Sequence, residues 1–254
     1  MALYTGECLS YCSDDEIVIS STVRRIEGLA FFKCKNLKHI KIPSQVYKIG
    51  ERAFSECESL EEITIPERIE ILGPDSFSFC SSLKSVRFDC NLKKIEDGVF
   101  AECKSLEEFV VPEGVEAIGD YCFSGCSNLK FVKLPKSLKS IGQHAFWNCD
   151  NLTKISLPEG LEFVGLEAFA GCINLKRVDI YGEYTHFGPS TFYLCDSLRE
   201  IHCHDYNSLT IDRPELFIDE EVVEKCALYV RPAFRDSYRY DSYFCQFRDN
   251  FYLE

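Results

Sequence analysis

A phenylalanine returns every 23 residues, eight times in succession, at Phe31, Phe54, Phe77, Phe100, Phe123, Phe146, Phe169 and Phe192. Three residues after each comes a cysteine, from Cys34 to Cys195, and three further on a leucine, from Leu37 to Leu198. A fixed period of this length, kept without a slip, dictates a solenoid in which each repeat is one coil stacked on the next. No coil can bury its apolar side chains alone, so the core exists only between neighbours.

Counting repeat positions from Val23, position 1 holds Val23, Val46, Ile69, Leu92, Val115, Leu138, Leu161 and Tyr184, and position 4 runs from Ile26 to Phe187. These residues, the Phe, Cys and Leu columns and positions 18 and 20 are expected to point inward. Positions 15 to 20 read Leu-x-x-Ile-x-Ile, the two-residue alternation of a strand with one buried face. Strands of successive coils should pair in parallel. Proline at position 21 in five coils (Pro43, Pro66, Pro112, Pro135, Pro158) ends the strand, because it donates no ladder hydrogen bond. Glycine at position 5 in six coils, beginning with Gly50 and Gly73, implies positive φ or close backbone approach. Position 14 is only Asn or Ser, side chains that can bond turn backbone.

The chain has 15 cysteines, eight of them in one column. A column of buried free thiols is the expectation, since cysteine packs as a small hydrophobe. Disulfides between adjacent coils are the alternative, for stacked coils lie within bonding range. There is no CxxC and no Cys/His set at zinc spacing. The formal net charge of −13 argues against a nucleic-acid partner. No segment approaches the ~18 apolar residues that would span a bilayer. The first twenty residues show neither the basic nor the apolar region of a secretory signal. A monomer without cofactors is expected.

The units VYKIGERAFSECESLEEITIP (46–66) and LKSIGQHAFWNCDNLTKISLP (138–158) resemble the BspA-like leucine-rich repeats, and all eight coils share the pattern. The resemblance implies a right-handed α/β-class solenoid with a parallel sheet on its concave face. It also implies a non-enzymatic protein-binding role, often adhesion of exported bacterial proteins to host surface or matrix proteins. An intracellular scaffold or regulatory module is the alternative, favoured by the missing leader. Three regions are expected: an N-terminal capping half-repeat (1–22), eight repeats (23–206) and a C-terminal cap (207–254). In the first, Asp15–Thr22 reads as the strand of a degenerate coil, with Cys8 where phenylalanine would stand. In the last, strands are expected at Asn207–Ile211 and Ala227–Val230 and a short helix at Asp219–Cys226. The segment from Ala227 onward resembles the family's cap, a strand and then a helix bearing Tyr238. The aromatic cluster Tyr238, Tyr240, Tyr243, Phe244, Phe247, Phe251 and Tyr252 reads as its lid.

Function is sought on positions 17 and 19, which face out of the sheet. Phe131 and Val110 are the apolar pair there, in adjacent coils, with Arg87, Lys133, Lys154, Glu108 and Arg177 around them. An aromatic anchor within a charged rim is the make-up of a protein-binding hot spot. Trp147, Tyr193, Leu194, Leu166 and Phe79 suggest a second surface on the opposite side. His202, His204 and Asp179 share a face and could supply three metal ligands, while Cys203 points inward; solvated surface histidines are the expected reading, and no metal is assigned. With five histidines and no nucleophile elbow, phosphate loop or HExxH, no enzyme is expected.

Overall fold

The computed structural model describes residues 2–4, 6–182, 184–204, 210–211, 218–234, 236, 238, 247 and 250–253. Each coil contributes two parallel strands at corresponding places. The first run begins with Ala2–Tyr4 and Glu16–Ile19 and continues through His39–Lys41, Glu62–Ile65, Ser85–Phe88, Glu108–Val110, Phe131–Lys133, Lys154–Leu157, Arg177–Ile180 and Glu200–Cys203. The second, two residues per coil, runs from Arg25–Ile26 to Thr210–Ile211. Register is one coil per step, as in Ile155↔Val178↔Ile201. Burial alternates along the strands through coil six as the sequence demands, as in Glu62–Ile65, which reads exposed, buried, exposed, buried.

The stack of phenylalanines is the axis of the core. All eight rings are fully buried. Successive centroids lie 4.8 Å apart at Phe31–Phe54, 5.0 Å at Phe54–Phe77 and 5.9 Å at Phe77–Phe100. The Phe146 and Phe169 rings are parallel, with an interplanar angle of 0°. Beside them the ladder cysteines are free and buried. From Cys57 onward each thiol donates to the Phe carbonyl of the preceding coil, as Cys80 does to Phe54 at 3.2 Å and Cys126 to Phe100 at 3.2 Å, and Cys34 donates to the Leu9 carbonyl at 3.2 Å. Burial pushes the Cys80, Cys126 and Cys172 thiols up to about 12.

The glycines at position 5 serve close approach, not positive φ. A Cβ on Gly50 would lie 2.4 Å from the Gly28 nitrogen, and one on Gly73 2.6 Å from the Glu51 nitrogen. Left-handed backbone sits instead at positions 7 and 11, mostly on residues other than glycine, such as Leu29 (φ 60°), Arg52 (φ 52°), Phe79 (φ 59°) and Glu102 (φ 60°). These turns make the arm opposite the sheet and hold neighbours by hydrogen bonds. The Leu29 N–H donates to the Glu51 carbonyl at 2.9 Å and that of Lys33 to Ser55 at 2.9 Å. The Asn side chains of position 14 also bond across coils: Asn128 donates to the Lys104 carbonyl at 2.8 Å and Asn174 to Asp150 at 2.9 Å.

Four expectations are corrected at the ends. Cys8 is exposed and does not replace a phenylalanine. The Leu9 N–H donates to the Ala30 carbonyl as that of Phe31 does to Ala53, so Leu9 holds the place, and the buried Tyr4 ring closes the stack 4.7 Å from Phe31. In coil eight Tyr184 is 71% exposed, and Thr185 turns inward in its stead. The Thr185 hydroxyl donates to the Leu161 carbonyl at 2.8 Å, which satisfies the polar atom inside. Ala227–Val230 pairs with Glu200–Cys203 as expected, but it is not the last strand, because Phe251–Leu253 pairs beyond it. The helix is shorter than predicted, Glu220–Val223. Thr210–Ile211 pairs with His186–Phe187, while 207–209 lie outside the described residues. Tyr238 and Phe247 are buried, as a lid requires; Tyr240, Tyr243 and Phe244 also lie outside the described residues.

Phe123→Ala should lower stability by about 3–5 kcal/mol through the cavity left between two rings, read from chemical denaturation; a near-neutral change would contradict the stacked core. The thiols also predict an alkaline weakness. Their folded pKa is raised, so the stability they contribute is full below the unfolded thiol value near 8.5 and is lost as pH rises above it. Each buried thiol should add about 1.4 kcal/mol per pH unit to that loss. Under reductant, unfolding free energy should fall steeply between about pH 8.5 and 11, and Cys126→Ala should flatten the slope by one thiol's share.

Candidate functional site: the outward face of the sheet

Positions 17 and 19 leave the sheet on one face, and through coils one to six they are exposed, from His39 and Lys41 to Lys154 and Ser156. Phe131 is 50% and Val110 58% exposed. The register sets Glu108 opposite Phe131 and Val110 opposite Lys133, so the two apolar side chains are diagonal neighbours on one face. Glu108 and Lys133 make no ion pair among the described residues. Arg87 turns along its own strand, its Nε donating to Asp89 Oδ1 at 2.8 Å.

Lys154 and Arg177 have a common partner. They converge on Asp179, which is fully buried although it stands at an outward position. Arg177 Nη2 lies 2.7 Å from Asp179 Oδ1, and Lys154 Nζ lies 2.7 Å from Oδ2. His204 Nε2 is 3.3 Å from Oδ1, and Ser156 Oγ donates to Oδ2 at 3.5 Å. Glu200 extends the network, with Arg177 Nη1 at 3.4 Å and His202 Nε2 at 3.2 Å. Burial opposes ionisation of Asp179, but hydrogen bonds from Arg177, Lys154 and His204 outweigh it and hold the carboxyl well below the usual carboxylate range.

The expectation of solvated histidines fails at His202, which is 4% exposed. The cause is the extra strand pair beyond the eighth coil. His202 pairs with Tyr229 and Tyr229 with Tyr252, and their rings stack at 4.2 Å and 5.2 Å. His204 is stacked on Tyr181 at 4.3 Å. Sequence spacing correctly joined Asp179, His202 and His204, whose ligand atoms all lie within 4.8 Å of one another. Cys203 points into the core, 2% exposed. Asp205 lies outside the described residues. Two histidines and a carboxylate are donors zinc accepts. Here, however, both Asp179 oxygens are already engaged, and the charges of Lys154 and Arg177 offset those of Asp179 and Glu200. A dication would enter beside two positive side chains. The arrangement is that of a satisfied ionic network fastening coils six to eight.

On the opposite arm, Trp147, Tyr193, Leu194, Leu166 and Phe79 are all exposed, between 36% and 49%. Phe79 stands three coils from Trp147, about 15 Å at the strand spacing, so it does not join the others. The Leu194 N–H donates to Asp219 Oδ2 at 2.7 Å and ties this arm to the C-terminal segment.

The profile of the BspA type leucine-rich repeat region matches residues 5–130 and 116–221 in six copies. No functionally curated protein matches the chain. Among solved structures, a leucine-rich repeat protein of Bacteroides ovatus is 28% identical with a TM-score of 0.63, over 87% of this chain and 67% of that one. One from Eubacterium ventriosum is 33% identical with a TM-score of 0.58, over 62% of this chain and 43% of its own. The leucine-rich repeat protein of T. pallidum is 28% identical with a TM-score of 0.59, over 73% of this chain and 78% of that chain. The chain thus spans about two thirds of the first relative's length and less than half of the second's.

Asp179→Asn should cost about 1–3 kcal/mol, because it leaves Lys154 and Arg177 facing a neutral amide. The depressed carboxyl contributes stability that is present above the ordinary carboxylate pKa near 4 and is lost as pH falls below it. The gap between wild type and variant should therefore be constant from about pH 5 to 7 and close below about pH 4, measured by denaturation at each pH.

Proposed function

Because the chain belongs to the BspA-type leucine-rich repeat family, whose solenoids are repeat proteins that mediate protein interaction, we propose that it is a non-enzymatic binding module for a protein partner, with the Phe131 patch as its contact. The observation that carries this reading is the half-exposed aromatic ring beside exposed Val110 on a sheet face that is otherwise polar through coils one to six. An exposed large ring on a rigid strand is a binding anchor at low entropic cost, and a rim of charges around it sets orientation. Val110 extends the apolar centre; Arg87, Glu108 and Lys133 form the rim. Lys154 and Arg177, expected in that rim, act instead as supports through Asp179. The outward positions favour a partner surface that is large and irregular, since neighbouring coils offer different side chains at each step.

The reading is tested by immobilising the protein, capturing interacting proteins from an extract of host cells and identifying them by mass spectrometry. Phe131→Glu sets a second carboxylate beside Glu108 and should reduce capture at least tenfold, the loss typical of an anchor worth more than 1.4 kcal/mol. Its melting temperature should stay within about 2 °C of wild type, because the ring packs in no core. Undiminished capture would move the site off this patch.

A further inference from the structure

A groove of about 780 Å3 opens at the carboxyl ends of the strands in coils five to eight, bordered by Leu134, Pro158 and the exposed rings of Tyr181 and Tyr184. Its volume lies in the range of small-ligand sites. It exists because the repeat is broken there. Tyr181 takes the place that proline holds in the preceding coil, and Gly182 follows it. A Cβ on Gly182 would meet Thr185 Oγ1 at 2.1 Å and the Leu161 carbonyl at 2.9 Å, so only glycine lets Thr185 fold inward and throw Tyr184 out.

Tyr181 is a prepared platform. One face of its ring is stacked on His204 at an interplanar angle of 9°. His204 lies in the following coil, so the other face is turned toward the preceding one, where Pro158 lines the groove. The ring is 41% exposed. The charges of the groove are not self-compensating. Several carboxylates elsewhere are matched by lysines of the neighbouring coil, as in Lys93–Glu116 at 2.7 Å and Lys130–Glu107 at 2.7 Å. Glu159 and Glu162 have no ion-pair partner among the described residues, and against them the lining sets only Lys136. Among the described lining residues, two carboxylates and one ammonium leave a local charge of −1, on a chain of net charge −13.

We infer that this groove receives an arginine side chain of the partner, its guanidinium laid on Tyr181 and held by Glu159 and Glu162. The inference rests on the protein-binding reading above and adds the chemistry of a second contact. A guanidinium is planar, weakly hydrated and always charged; it stacks on aromatic faces and offers five donors to carboxylates. A neutral sugar ring would use the tyrosine platform but would leave the unpaired charges uncompensated. The groove adjoins the Phe131 patch. Leu134 is three residues along the chain from Phe131, about 10 Å in extended backbone, a span that an extended partner segment also covers in three residues.

The test uses N-acetyl-arginine methylamide as probe and follows the tyrosine ring resonances of the full chain by NMR. Saturable shifts at Tyr181 and Tyr184 are expected. They should be absent with the neutral citrulline analogue, weakened in high salt, and at least tenfold weaker in the Glu159→Gln/Glu162→Gln double variant. Absence of saturation, an equal response to citrulline, or an undiminished response in the double variant overturns the inference. So does a response to N-acetylglucosamine without one to arginine, which would make the groove a saccharide site. Phe131→Glu separates the two readings. Arginine shifts that persist while capture is lost support both. Capture that depends on Phe131 with no arginine response overturns the groove alone. Capture that ignores Phe131→Glu while arginine still binds overturns the patch alone.

Discussion

Every coil must tolerate a copy of itself about 5 Å away on either side, and this constraint governs the residue types in each column. Phenylalanine meets it because flat rings stack face to face, as the parallel pair Phe146 and Phe169 shows. Cysteine meets it because a thiol is small, apolar and still a weak donor; its proton goes to a Phe carbonyl of the coil before. A serine there would be a stronger donor at the cost of burying a more polar group. Glycine meets it where two backbones touch, since a side chain at Gly50 or Gly73 would occupy the neighbouring coil's main chain. Stability is therefore a sum over interfaces, and the terminal coils need covers: Tyr4 on one side, the strands Ala227–Val230 and Phe251–Leu253 on the other.

What was legible in the sequence follows from the same rule. A column repeated eight times announces its environment, so the Phe, Cys and Leu positions, the strand and its proline stop could be read directly. Glycine at position 5 left two readings, and only the backbone contacts choose close approach. The left-handed residues were invisible, because Leu29, Arg52 and Glu102 carry no glycine or asparagine signal. Their conformation is imposed from outside: the N–H groups of positions 7 and 11 bond the next coil, and those bonds offset a strain of about 1–2 kcal/mol per residue. Departures from the repeat were the hardest to read. Tyr184 fits its column by hydrophobicity, yet the inward place goes to Thr185, because Gly182 reshapes the turn before it. His202 and Asp179 sit at outward positions and are nevertheless buried, His202 against Tyr229 of a strand remote in sequence and Asp179 under Lys154, Arg177 and His204.

These departures also divide the outward face into two mechanical halves. From coil one to coil six it is an open polar surface, interrupted by Phe131 and Val110. From coil six onward it is fastened by Asp179 and roofed by stacked rings. The fastening gives Lys154 and Arg177, which the sequence places beside Phe131, a partner of their own in Asp179. Long cations on a free face would pay rotamer entropy on binding; here they are already immobilised, and what they hold rigid is the strand beside the patch.

Rigidity has a consequence for recognition. A solenoid whose coils are locked by aromatic stacking, inter-coil turns and an ionic clamp presents its face with little reorganisation, so a partner loses less on binding than it would to a mobile loop. The two irregular features of the face, an apolar ring at mid-sheet and a tyrosine-lined groove at the strand ends, stand on that frame at a fixed separation. On the proposed reading, selectivity would come from matching two dissimilar chemistries, one apolar and one cationic, at that distance. A partner bearing only one of them meets either an uncovered ring or two uncompensated carboxylates, and so discrimination arises from the unmet group as much as from the met one.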